Sequence, residues 1–238
     1  MSSLKKLKQQ FLEYIEIEKG RSLKTVENYD HYLTRFLDFT KNDNPESITD
    51  SSVREFRLWL NRQLTGHNKK SQETLSRKTQ NYYLIALRAF LKYLALQEIK
   101  TLPAERIELA KVSERSLDLI TEEELSRLLD SPNGKSLKDL RDKAILELLF
   151  STGLRLAELR SLTRDINLNS EELSVKGKGG KVRVVFISDK AKKSIQEYLK
   201  LRKDISDALF APVAEKSFKK NSTREYGFLH NRSLERIV

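Results

Sequence analysis

The sequence has no cysteine, and only one methionine, one tryptophan, four prolines and eight glycines in 238 residues. The missing thiols exclude disulfides, a cysteine nucleophile and cysteine-ligated zinc. No apolar run approaches the roughly 20 residues that a bilayer span needs. The opening stretch, MSSLKKLKQQFLEY, has neither the apolar core nor the small-residue cleavage site of a secretory signal, so the expected compartment is the cytoplasm and no membrane partner is expected. Also absent is the GxxxxGK[ST] spacing of a P-loop. The one glycine cluster, Gly177–Gly180, precedes a strand pattern rather than a helix, so nucleotide binding is not expected.

Charge, by contrast, is plentiful. Charged residues make up 33% of the chain, hydrophobic ones 38%, and the net charge is +11; the mean hydropathy is −0.57. The surplus is uneven. Residues 51–100 hold 10 basic and 3 acidic side chains and residues 151–200 hold 11 and 6, whereas residues 101–150 between them hold 8 and 11. Two basic blocks around an acidic one suggest two surfaces that meet one polyanion. The length suits two domains.

Four one-sided helices are predicted in the first hundred residues. Their stripes are Leu4, Leu7, Phe11, Leu12, Ile15; then Val26, Tyr29, Leu33, Phe36, Leu37 behind a Ser22 cap; then Val53, Phe56, Leu60, Leu64 behind Thr49; then Tyr83, Leu84, Leu87, Phe90, Leu91, Leu94 behind Ser76. Trp59 is expected in the core rather than on a base-stacking surface. Residues 1–99 are expected to be a four-helix bundle, residues 100–117 a linker, and residues 118–238 a second domain opened by the Thr121–Glu124 capping box. In that domain, helices are expected over 137–150 and 154–162, a β-hairpin over 173–187, a helix bearing Ala191, Ile195, Tyr198 and Leu199, and a loop over 211–227. Residues 232–238 begin another helix, with Leu234, Ile237 and Val238 inward, and the domain is expected to be unfinished there.

Three segments hold the candidate chemistry. In Ser151-Thr152-Gly153-Leu154-Arg155-Leu156-Ala157-Glu158-Leu159, a glycine turn puts Arg155 at a helix start, where a guanidinium and free N–H groups suit a phosphate. Glu158 follows one helical turn later, where it can hold the arginine. In Val175-Lys176-Gly177-Lys178-Gly179-Gly180-Lys181-Val182-Arg183, four cations flank a tight turn, as a finger entering a nucleic-acid groove would need. In the fourth helix, Arg77, Lys78, Arg88 and Lys92 share the polar side, with Ser76 and Thr79 near its start. Such a face gives sequence-independent phosphate contacts.

In this order the segments resemble the tyrosine recombinase (phage integrase) family, with a Xer-like layout. LSRKTQNYYLIALRAFLKYL is similar to the last helix of its core-binding domain, LITEEELSRLL to the opening of its catalytic domain, STGLRLAEL to its first arginine box, and VKGKGGKVRVVFI to its lysine-bearing hairpin. The resemblance implies a mainly helical fold: a SAM-like four-helix core-binding bundle, then part of an α/β catalytic domain with a small antiparallel sheet. It implies transient 3′-phosphotyrosyl strand exchange on double-stranded DNA beside other recombinase protomers, with no metal, nucleotide or other cofactor. By resemblance Arg155 holds the phosphate, Lys178 protonates the departing 5′ oxygen, Glu158 is a supporting acid, and Ser76, Arg77, Lys78, Thr79, Arg88, Lys92, Lys176, Lys181 and Arg183 contact DNA.

The family's second box needs a histidine with an arginine three residues on, and later a tyrosine. Here His31 is followed at that spacing by Thr34, His67 by Lys70 and His230 by Ser233. All eight tyrosines, Tyr198 and Tyr226 being the last two, precede the place for that box. The expectation is a C-terminally truncated recombinase whose 238 residues bind DNA without cutting it. The alternative is a DNA-binding protein without chemistry.

Overall fold

The computed structural model describes residues 3–65, 73–113, 118–213, 229 and 231–237. The chain falls into two compact units, Met1–Ser116 and Leu117–Val238. Among the described residues no helix is long and apolar enough to cross a membrane.

The first unit is a bundle of α1 (Leu4–Ile17), α2 (Leu23–Thr40), α3 (Asp50–Asn61) and α4 (Arg77–Leu96). The second holds α5 (Glu122–Asp130), α6 (Leu137–Thr152), α7 (Leu156–Arg160), strands β1 (Glu172–Lys176) and β2 (Val182–Phe186), α8 (Asp189–Leu201) and the short α9 (Asn231–Leu234). Seven of these helices start on a hydroxyl cap: Ser3, Ser22, Thr49, Ser76, Thr121, Ser136 and Ser188. Each side chain accepts from a first-turn N–H, a contribution of about 1 kcal/mol per cap.

The stripes expected on α1 and α4 are buried, together with Ala86 and Tyr93. Leu33, Phe36 and Leu37 are buried on α2, while Val26 and Tyr29 pack partly buried against the same core. Phe56 stands 5.1 Å from Phe36 edge-on and 5.7 Å from Trp59, and the Arg35 guanidinium lies over the Trp59 ring. Trp59 is therefore half-buried and packs against this core. Leu64 departs from the expected face: it lies beyond the end of α3, exposed, in an isolated bridge to Thr74.

The stretch expected as a linker is packed over its first part. Leu102, Ala104 and Ile107 join the bundle's core, with a 3₁₀ turn over Ala104–Arg106. Asn81 on α4 then holds the following residues by two reciprocal bonds: its Nδ2 donates to the Ala110 carbonyl at 2.9 Å and its Oδ1 accepts from the Ala110 N–H at 3.0 Å. The Arg57 guanidinium also donates to the Glu108 carbonyl. Spacings of two and three among Leu102, Ala104 and Ile107 follow no single period, so only docking onto α4 reveals their burial.

In the second unit α6 runs two residues past its expected end, because Gly153 supplies a left-handed cap (φ 59°) whose N–H bonds the Leu149 carbonyl. The helix expected over 154–162 is shorter, Leu156–Arg160. The strands pair antiparallel with Ser174 opposite Val184 and Val175 opposite Arg183, forming a two-stranded sheet. The apolar residues of α5, Leu125, Leu128 and Leu129, are half-buried. Leu234 enters the second core and Ile237 packs against it. Most of the loop expected over 211–227, with Val238, lies outside the described residues.

Candidate nucleic-acid interface and phosphate site

The turn at Gly153 delivers Arg155 to the N-terminal end of α7, with its side chain 68% exposed. One turn on, Glu158 is buried and accepts four hydrogen bonds. Its Oε1 takes Arg155 Nη1 at 3.0 Å and Arg183 Nη1 at 2.8 Å. Its Oε2 takes the Arg155 backbone N–H at 2.9 Å and Arg183 Nη2 at 2.8 Å. A carboxylate offers about four lone-pair sites, and all are filled. The arginine box and the hairpin thus meet on one carboxylate, while the rest of the Arg155 guanidinium faces outward.

The Arg183 bonds, followed by the backbone N–H of Arg155, lower the Glu158 carboxyl to about 2 from an ordinary 4.5. A depressed folded value adds stability that is complete above the unfolded value and is lost as pH falls. We therefore expect the gap in thermal midpoint between wild type and Glu158→Gln to be constant above pH 4.5 and to close between about 4.5 and 2. A gap that persisted unchanged to the acid end of that window would contradict the assignment. At neutral pH Glu158 stays ionised, so it orients cations and does not move protons.

The hairpin tip is closed by backbone: Gly177 N–H to the Lys181 carbonyl at 2.7 Å and Gly180 N–H to the Gly177 carbonyl at 3.1 Å. Gly179 (φ 74°) and Gly180 (φ 76°) supply the left-handed residues that such a turn requires. Lys178 opens the 3₁₀ turn over Lys178–Gly180, directly after Gly177. An ideal Cβ on Gly177 would stand 3.1 Å from Glu158 Oε1 and 3.3 Å from Arg183 Nη1, so the tip begins flush against the carboxylate. Lys176 and Lys181 are exposed on either side. Arg183, grouped with them on sequence, sits instead on the inward face with Val175 and Val185. Val182, Val184 and Phe186 point outward. Alternation alone would turn the apolar Val182, Val184 and Phe186 inward, so tertiary packing sets which face is buried.

In the first unit Ser76 and Thr79 pair with each other (2.9 Å), and Ser76 caps α4. Arg77 and Lys78 line a depression of about 390 Å³ with Ser76, Lys111, Val112 and Ser113. Lys111 was not foreseen as a site residue. The Asn81 clamp on Ala110 carries it to the start of α4. Arg88 is half-buried on the polar side of α4. Lys92, about 22 Å along the axis from Arg77, reaches the Glu105 carboxylate at 4.0 Å, so part of its charge is balanced within the unit.

Tyr198 is almost fully buried, and its hydroxyl accepts the Ala211 N–H at 3.3 Å. Burial holds this phenol above its ordinary value, which is unsuitable for a nucleophile. Beside it, the Arg202 guanidinium has no exposed surface. Its Nε and Nη2 donate to Asp204 at 2.6 Å each, and its other N–H groups reach the carbonyls of Ser206 (3.0 Å), Leu209 (2.9 Å) and Ala208. His67, Tyr226 and His230 lie outside the described residues.

Residues 118–230 match the model described as the phage integrase family, and residues 9–98 match that described as the phage integrase N-terminal SAM-like domain. Similar proteins include tyrosine recombinase XerC of Thermodesulfovibrio yellowstonii, 34% identical over 194 residues, which are 81% of this chain and 61% of the relative. XerC of Mannheimia succiniciproducens is 37% identical over 209 residues, 85% of this chain and 68% of the relative. The chain thus spans about three-fifths to two-thirds of the length of these relatives. Among solved structures, a lambda integrase tetramer bound to a Holliday junction aligns with TM-score 0.64 and 19% identity over 99% of this chain and 64% of that one. A XerH site-specific recombinase bound to palindromic difH aligns with TM-score 0.59 and 22% identity over 97% and 66%. At such identities the likeness is one of fold.

Proposed function

The chain belongs to the phage integrase (tyrosine recombinase) family, and from that premise we propose that it grips double-stranded DNA and sets Arg155 on one backbone phosphate, for site-specific strand exchange. The first unit acts as the core-binding domain and the second as the opening part of the catalytic domain. Arg77, Lys78 and Lys111 hold phosphates on the first; Lys176 and Lys181 hold them on the second. Arg155 binds non-bridging oxygens and offsets the charge that grows on them in the transition state. Lys178 supplies the proton to the departing 5′ oxygen. The chemistry needs no metal or nucleotide, further protomers assemble on the DNA, and the setting is cytoplasmic.

One observation supports this above the others: Glu158 bonds both Arg155 and Arg183, which joins the arginine box to the hairpin bearing Lys178. The 238 residues hold no histidine followed three positions later by arginine, and Tyr198 is buried. This favours DNA binding without cleavage as the activity of this polypeptide by itself. On a nicked suicide substrate the 238-residue polypeptide is therefore expected to bind and to leave no covalent protein–DNA adduct on a denaturing gel. An adduct would show that one of its tyrosines is the nucleophile and would overturn this assignment.

A further inference from the structure

Arg183 was expected to touch DNA, because it ends a run of cations on a glycine turn. Its surroundings assign it other work. It stands opposite Val175 on the face of the hairpin that turns toward the core. Its side chain is half-buried there, and both ends of its fork lie 2.8 Å from the two oxygens of Glu158. The same carboxylate holds Arg155 by side chain and by backbone. Gly177 presses on this pair from the tip, with no room for a methyl group unless a neighbour gives by a few tenths of an ångström. Glu158 is therefore the common anchor of α7 and the hairpin, and Arg183 is the hairpin's only described ion-pair link to it.

We propose that Arg183 is a positioning residue: by gripping Glu158 with both prongs it fixes the glycine tip, and with it the backbone at Lys178, beside Arg155. The inference rests on the reading of Arg155 as the phosphate-holding group. It also explains why an arginine is needed. A lysine would keep the charge yet lack the planar fork that meets both oxygens at once. With Glu158 saturated by four donors, Arg155 is held by its backbone N–H and by Nη1, and keeps its remaining guanidinium N–H groups for a phosphate.

The test uses the 238-residue protein as wild type, Arg183→Gln, Arg183→Lys and Gly177→Ala. Three quantities are read: amide exchange at Gly180, the salt slope of binding to a double-stranded oligonucleotide, and shielding of the Lys178 amine from acetic anhydride by saturating DNA. Positioning predicts that Gly180 exchange accelerates about tenfold in both Arg183 variants, as loss of a charge-assisted pair of bonds should allow. Gly177→Ala should reproduce this without altering a charge. The salt slope should stay at the wild-type value while shielding of Lys178 falls. The proposal is overturned if Arg183→Lys matches wild type and Arg183→Gln loses about 0.9 of the slope, the mark of a phosphate contact. It also fails if Gly180 exchange is unchanged in all three variants. Should wild type itself not bind DNA, the proposed function fails, and the exchange rates still decide the role of Arg183.

Discussion

Affinity for double-stranded DNA is expected to fall about a thousandfold as salt rises from roughly 50 to 200 mM. The estimate follows from the cations that the fold leaves available. Arg77, Lys78 and Lys111 on the first unit, and Lys176 and Lys181 on the second, have no ion-pair partner among the described residues. Arg155 is 68% exposed beyond its bond to Glu158. Lys92 and Arg183 are left out because Glu105 and Glu158 already face them. Six phosphate contacts at about 0.9 each give a log–log slope near −5. Fluorescence anisotropy across a salt series measures it directly. Lys111→Gln should make the slope shallower by about 0.9, which separates a docked cation from an idle one. A response flat in salt would remove the DNA clamp from consideration.

Arg202→Ala is expected to destabilise the second unit by about 1 to 3 kcal/mol, the cost of leaving buried carbonyls without their donor; the ion-pair partner, Asp204, is itself 44% exposed. Chemical denaturation followed by circular dichroism would show it. The guanidinium has no exposed surface and serves Asp204 and three backbone carbonyls. Its bonds hold the Asp204 carboxyl at about 2. The loop it organises braces the end of α7: Asp207 accepts from the Arg164 N–H at 2.8 Å, and Leu209 donates to the Leu162 carbonyl at 2.8 Å. Loss of Arg202 should therefore also loosen the helix that presents Arg155. Arg202→Lys should fail nearly as badly, since an ammonium cannot span those acceptors. A loss below about 1 kcal/mol, typical of an exposed ion pair, would show that the knot is ornamental.

Much of the bundle could be read from residue order because its physics is local. Apolar positions at helical spacing announce α1 to α4, hydroxyl caps three residues before a paired N–H announce the starts of α2 to α4, and Gly153 announces the turn that aims Arg155. Features set by distant partners were not legible in this way. Arg141 on α6 is buried because its Nη1 meets the carbonyl of Ala211, 70 residues away. Lys111 gained significance only once Asn81 was seen to hold Ala110. Arg183 belongs with these cases. Strand alternation set it opposite the apolar Val182, Val184 and Phe186, as an outward residue would be, and its place at the end of a basic turn invited grouping with Lys176 and Lys181. The decisive fact, a buried glutamate 25 positions earlier, is tertiary.

The way Leu102, Ala104 and Ile107 sink into the helical bundle bears on where the molecule can be divided. Severing it after residue 99, where apolar periodicity stops, would pull a hydrophobic plug from its socket and leave sticky, self-associating material. Severing it after residue 113 would keep the plug seated and Lys111 in place, and so release a bundle with its own cork.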